Sequence, residues 1–251
     1  MSTRQDNLKY LFTRIISIFL LLLVWGTIRA QVAADTTAAP DTVAAPHKEI
    51  GSRQLVFSAD IVNPIRNMLT TSQTGYEFGM DYYTHGELYL VAEGGWGDSK
   101  VAYNDLNYTT KNQFLRFGFN KILLPRENAT DWGGLFMGLR LGGANITRTA
   151  ASYSVIDSVW GNSSGALSGK SFNAFWMEIT AGVRVELVKG LLAGWNLRGK
   201  FLLNGKSFND LSPLYIAGYG RGDKNAVFDF NFYLSYAIRW KRNEKATEPK
   251  K

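Results

Sequence analysis

From Leu55 onward apolar and polar residues alternate with a period of two, and the pattern recurs so often that helix is set aside for most of the chain. Successive side chains of a strand point to opposite faces, so each run predicts a strand with one apolar and one polar side. Eight such strands are predicted. The first, 54–62, sets Leu55, Phe57, Ala59 and Ile61 against Ser58 and Asp60, and Pro64 ends it. The second, 75–83, sets Tyr76, Phe78, Met80 and Tyr82 against Glu77, Gly79 and Asp81. A turn through His85 and Gly86 leads to the third, 88–97, where Leu88, Leu90 and Ala92 oppose Glu93 and Gly95. The fourth to seventh strands, 113–123, 133–146, 173–187 and 191–204, carry Arg116, Arg140, Glu178 with Arg184, and Arg198 with Lys200 on their polar faces. The eighth, 226–240, sets Phe228, Phe230, Phe232, Leu234, Tyr236, Ile238 and Trp240 against Asp229, Asn231, Tyr233, Ser235 and Arg239.

Alternation does not by itself say which face is inside. The apolar face is bulky, whereas the polar face mixes charges with Gly79, Gly95, Gly118, Gly138, Gly182 and Gly194. An eight-stranded barrel has room only for side chains to fill it, so the face with the small residues fits the interior and the bulk faces lipid. Connections alternate between long and short, about 12–25 residues against about 3–10, which is the long-outside, short-inside habit of bacterial membrane barrels with periplasmic termini. Tyr82, Trp96, Trp132, Trp176 and Trp240 fall near strand ends, where amphipathic rings suit a membrane interface. The expected fold is therefore an all-β, antiparallel up-and-down transmembrane β-barrel of eight strands, or ten if a long loop hides a hairpin.

The segments before the alternation change the picture by adding a compartment. A basic head with Lys9 and Arg14, an apolar run 15–25 and Ile28-Arg29-Ala30 predict a signal peptide over 1–30. The apolar run is well short of the roughly 20 residues of a spanning helix. Residues 31–50, rich in Ala, Thr, Pro and Asp, predict a flexible leader. The barrel is expected over 51–240 and a basic periplasmic tail over 241–251. The formal charge of +7 includes a net +3 from the export segment, so the mature chain is too mildly basic to argue for nucleic acid. The chain has no cysteine, which excludes a disulfide framework, a thiolate metal site and a lipoprotein anchor.

The whole mature chain resembles the small outer-membrane barrels of the outer-membrane-protein-A type, and more narrowly a Bacteroidota barrel family known as a domain of unknown function. The likeness rests on Asp60-Ile61-Val62-Asn63-Pro64, Phe114-Leu115-Arg116-Phe117-Gly118, Gly138-Leu139-Arg140 and Tyr215-Ile216-Ala217-Gly218-Tyr219-Gly220. It implies fold and an outer-membrane location, with no activity to carry over. Ile238 and Trp240 resemble the terminal aromatic signal of the last strand of such barrels. Asp35-Thr36-Thr37 and Asp41-Thr42-Val43 resemble a short O-glycosylation signal, with Thr36 and Thr42 as acceptors.

The candidate site residues are the inward charges: Asp60, Glu77, Asp81, Glu93, Glu178 and Asp229 against Arg116, Arg140, Arg184, Arg198 and Lys200. An unpaired charge in a narrow dry lumen is costly, so these are expected to form a mutually satisfied network that closes the barrel. The competing reading is a gated ion conduit. A barrel enzyme needs a nucleophile or base, usually with histidine, near the lipid interface, and His47 in the leader and His85 in a turn are not placed to serve. Neither a cofactor nor a metal-ligand set is expected. Gly165 to Ser171 resembles a phosphate-binding loop, but with three residues between its glycines instead of four and no strand-loop-helix context. Arg221-Gly222-Asp223 spells an adhesion tripeptide and reads as a turn.

The expected function is a non-enzymatic accessory or structural subunit of an outer-membrane complex, including assembly or secretion machinery. Lipid and other outer-membrane or periplasmic proteins are its expected partners. A small pore, a lipid-modifying enzyme and a soluble binding barrel are the alternatives. The outer loops 98–112, 147–172 and 205–225, or the leader, are expected to carry the contact.

Overall fold

A computed structural model describes residues 52–69, 72–124, 132–155, 161–208 and 211–241. The signal-peptide and leader readings, with His47, Thr36 and Thr42, and the tail beyond 241 lie outside these residues.

Among the described residues ten antiparallel strands and one α-helix form in chain order: β1 Ser52–Asp60, α1 Val62–Leu69, β2 Gln73–Tyr83, β3 Leu88–Ala102, β4 Leu106–Ile122, β5 Gly134–Arg148, β6 Ala151–Val155, β7 Ser163–Leu167, β8 Lys170–Val188, β9 Leu191–Leu202 and β10 Ala226–Lys241. Each long strand pairs with its neighbour along the chain, β5 with β8, and β10 returns to β1, closing a ring of eight. The hairpin β6–β7 lies outside the ring, joined to it by a short pairing of β6 with the start of β4. Among the described residues no helix is long and apolar enough to cross a membrane.

The period of two holds in space. On β4, Leu115, Phe117 and Phe119 are exposed while Phe114, Arg116 and Asn120 are buried. The ring strands meet or exceed the 9–11 residues needed to cross a bilayer when tilted. The outward face is apolar along Leu135, Met137, Leu139 and Leu141 of β5 and Phe175, Met177, Ile179 and Val185 of β8. It turns polar along one line of register partners, Trp96, Gln113, Asn145 and Asn173. There the Asn145 amide donates to Asn173 at 2.9 Å, and in the next row Thr147 and Ser171 hydroxyls lie 3.1 Å apart. Tyr76 and Trp96 stand at this border with ring centroids 5.7 Å apart. An exposed apolar belt edged by aromatic and amide side chains is what a lipid-facing surface requires.

Several expectations are corrected. The first strand stops at Asp60, and Pro64 sits in the first turn of α1, where its missing N–H is not needed. The segment 98–112 is no loop, because β3 and β4 run on as one hairpin to a turn at 103–105. The segment 147–172 contains β6 and β7. Trp132 and Trp176 are buried inside the barrel and not at a membrane interface. Trp176 follows the inward parity of Glu178 two residues on, so its strand position outweighs its amphipathic character.

The lumen is filled in layers. At the end that holds Ser52 and Lys241, Val56, Tyr83, Tyr89, Ile122, Trp132, Phe136, Leu192, Tyr233 and Ala237 pack together. At the opposite, loop end, Phe114, Ala144, Ile146, Ala174 and Trp176 of the wall pack against Tyr215, Ile216, Ala217 and Tyr219 of the β9–β10 connection. The charges lie between these two apolar layers.

Candidate functional site

Strand parity sends one ionisable side chain after another into the same middle layer, and ring closure decides which of them meet. Arg116 of β4 contacts Glu77 of β2, Glu93 of β3 at 2.7 Å and Glu178 of β8 at 3.1 Å. Arg198 of β9 reaches Glu93 at 2.9 Å and Glu77 at 3.1 Å. Arg140 of β5 bonds Glu93 at 3.0 Å and also contacts Thr180 and Asn120. Lys200 pairs with Asp229 at 2.6 Å. Arg184 and Asp81 form a separate pair nearer the terminal end, with the Arg184 guanidinium 5.3 Å from the Tyr89 ring.

Ten of the eleven candidate charges are thus brought into ion pairs, and Asp60 is not. Its carboxylate accepts from the backbone N–H groups of Val62 at 3.1 Å and Asn63 at 3.0 Å, capping α1. The parity of β1 aims it inward, but the local demand of a helix start takes it.

Sequence reasoning missed the plug. The β9–β10 connection, expected to project outward, folds back into the loop end of the barrel. Its innermost point is a tight turn in which Ile216 and Gly220 exchange backbone hydrogen bonds of 2.7 and 2.8 Å. Gly218 at the apex has φ 78°, a left-handed value that favours glycine, and a Cβ there would sit 2.5 Å from Phe114. With no side chain in the way, the Gly218 carbonyl accepts from both Arg116 at 3.0 Å and Lys200 at 2.8 Å. Tyr219 packs on Trp176 at 5.7 Å between centroids, and the Trp176 indole N–H donates to Glu178 at 2.6 Å. The plug therefore caps two cations that have their carboxylates below. Its signal in the sequence is the run Leu214 to Tyr219, apolar apart from Gly218 and followed by Gly220, which is too apolar for a solvated loop.

Burial pushes the Tyr215 phenol up to about 12, against the smaller opposing influence of Arg66, whose guanidinium lies 5.9 Å over the ring. In the outer part of the same connection, Arg221 and Asp223 pair with each other at 2.6 Å, and the hydrogen bond from Arg221 lowers the Asp223 carboxyl. The adhesion-like tripeptide is thus a self-paired turn. Gly165 to Ser171 spans the end of β7 and the start of β8, with no helix to complete a phosphate cradle.

Little space remains in the charged layer. Two cavities beside it, one lined by Asp81, Glu93, Arg140 and Arg184 and one by Asp60, Glu77, Glu93 and Arg198, hold about 20 Å³ each, the room for about one water. Among the described residues no group of three or more His, Asp or Glu side chains is arranged to hold a metal ion. The arrangement can occlude a lumen and hold a plug.

Residues 11–243 match the family described as a domain of unknown function, DUF6048. No curated protein matches the sequence. Among solved structures the chain is similar to the N-terminal β-barrel domain of Pseudomonas aeruginosa OprF, with 11% identity over 77% of this chain and 100% of that one, at a TM-score of 0.29. It is also similar to Ail, the attachment invasion locus protein of Yersinia pestis, with 7% identity over 74% and 97%, TM-score 0.36. A third is Neisserial surface protein A, with 9% identity over 78% and 100%, TM-score 0.33.

Proposed function

The chain belongs to the DUF6048 family, and from that premise we propose that it is an integral outer-membrane β-barrel with a closed lumen, serving as a non-enzymatic accessory or structural subunit of an outer-membrane complex. The observation that carries the reading is the double seal of the lumen: a layer of paired charges around Arg116 and Glu93, and a plug whose Gly218 carbonyl rests on it. The pairing of Arg116, Arg140, Arg184, Arg198 and Lys200 across the lumen supports a barrel without an open aqueous path. The apolar belt supports a membrane location, with the leading export segment supporting the outer membrane.

A sealed barrel acts through its surface. Beyond the polar border the loop end projects as the β3–β4 extension and the β6–β7 hairpin, whose shared core is Val101, Tyr108 and Ala151 with Leu106, Leu167, Leu211 and Leu214 around it. Such a packed projection suits a protein contact. Gentle detergent extraction of a tagged chain, followed by identification of stoichiometric companions, is the test. One or more outer-membrane or periplasmic proteins in fixed ratio are expected, and a lone monomer under every mild condition would overturn the subunit reading.

A further inference from the structure

Helix α1 is built inside out for a water-exposed loop. Its polar side faces the barrel: the Asn67 amide donates to the Gly75 carbonyl and its oxygen accepts from the Gly75 N–H, both at 2.9 Å, while Arg66 bonds Asn63 and lies over Tyr215. Its apolar side faces away. Ile61, Ile65, Met68 and Leu69 are 42%, 50%, 85% and 49% exposed, and their spacing of four, seven and eight residues puts them on one face. No residue of the helix is buried.

The height of the helix says what covers that face. Gly75, to which Asn67 clamps it, pairs with Gly97, the residue after Trp96. Tyr76 and Trp96 mark the border where the outside of the barrel turns from apolar to polar. The helix therefore lies level with that border. The first residue of the apolar stripe, Ile61, just before the helix, still donates its backbone N–H to the Phe232 carbonyl of the wall at 2.9 Å and continues the outward file of Phe57 and Ala59 on β1. The apolar stripe is a continuation of the belt and turns along the border plane.

We propose that α1 is an interfacial anchor whose Ile61, Ile65, Met68 and Leu69 face embeds in the boundary between lipid headgroups and acyl chains, fixing the depth and tilt of the barrel at its loop end. The proposal rests on the reading of the barrel as membrane-inserted. The occupant is lipid, because the stripe is contiguous with the lipid-facing belt and carries no acidic or basic group of its own.

The chain has no cysteine, so a single introduced cysteine is a unique labelling site. Nitroxide labels are placed at Met68→Cys, at Met137→Cys on the outward face of β5, and at Tyr103→Cys in the β3–β4 turn. The full chain is reconstituted in dioleoylphosphatidylcholine vesicles, and collision with oxygen and with a water-soluble nickel chelate is measured by power saturation. The Met68 label is expected to favour oxygen over nickel several-fold more than the Tyr103 label, at a depth between the other two. A Met68 label as open to nickel as Tyr103, with Met137 in lipid, overturns the anchor alone. A Met68 label closed to both reagents shows a protein neighbour and equally overturns it. A Met137 label in water overturns the membrane reading and the anchor together.

Discussion

Arg116 and Gly218, 102 residues apart in the chain, are joined by a 3.0 Å hydrogen bond from the guanidinium to the backbone carbonyl. The same guanidinium holds Glu77, Glu93 and Glu178, so one side chain ties the plug to the charge layer.

Arg116→Ala should be among the most damaging single changes, since it leaves three buried carboxylates short of a cation. Loss of one partner of a buried ionic cluster costs about 3–5 kcal/mol. Urea titration in detergent, read by the mobility difference between folded and unfolded barrel on gels, checks this. An unchanged midpoint would show that Arg198 alone satisfies the carboxylates.

Gly218→Ala tests the plug separately from the wall. A side chain at φ 78°, 2.5 Å from Phe114, should cost about 1–3 kcal/mol locally. The β9–β10 connection should then be cleaved faster by added protease while the circular dichroism of the barrel is unchanged. Equal cleavage of variant and wild type would argue against a plug held at its apex.

Trp176→Phe removes the indole donor to Glu178 while keeping most of the packing against Tyr219. Leaving that buried carboxylate without one of its donors should cost about 1–3 kcal/mol in the same urea titration. Trp195→Phe, on the outward face, should shift the midpoint far less.

Planar-bilayer recordings of the purified chain should give no discrete conductance steps, because the paired charges cross the lumen with cavities of about 20 Å³ beside them. Reproducible steps from the wild-type protein would refute the closed lumen.

Alkaline titration of the wild type against Tyr215→Phe should isolate Tyr215. Its phenol, raised by burial to about 12, stays neutral in the folded state after the roughly 10 of an unfolded tyrosine has been passed. The stability from keeping it neutral is therefore complete below pH 10 and is lost as pH climbs from about 10 to 12. The difference in 295 nm absorbance between wild type and Tyr215→Phe should show a midpoint near 12, and a midpoint near 10 would place that ring in water.

Much of this molecule was legible because strand parity is local. Whether Phe117 faces out and Arg116 in depends on adjacent residues, so eight strands, their bulky outward face and the inward position of Arg116, Arg140, Glu178 and Arg198 follow from the period of two. The helix at Val62–Leu69 and the strand extension through 98–112 were hidden for a related reason: short polar-rich stretches support loop, strand and helix almost equally until a partner selects one.

The sequence by itself determined the wall of the barrel and the kind of residue on each side of it. Only the tertiary structure decided that Arg116 meets Glu77, Glu93 and Glu178, that Asp60 caps a helix, that Trp176 stands beneath a plug and that the Gly218 carbonyl meets Arg116 and Lys200. Those relations depend on the register at which eight strands close and on a connection folding back through the centre. They are distances across a ring, which no local periodicity encodes.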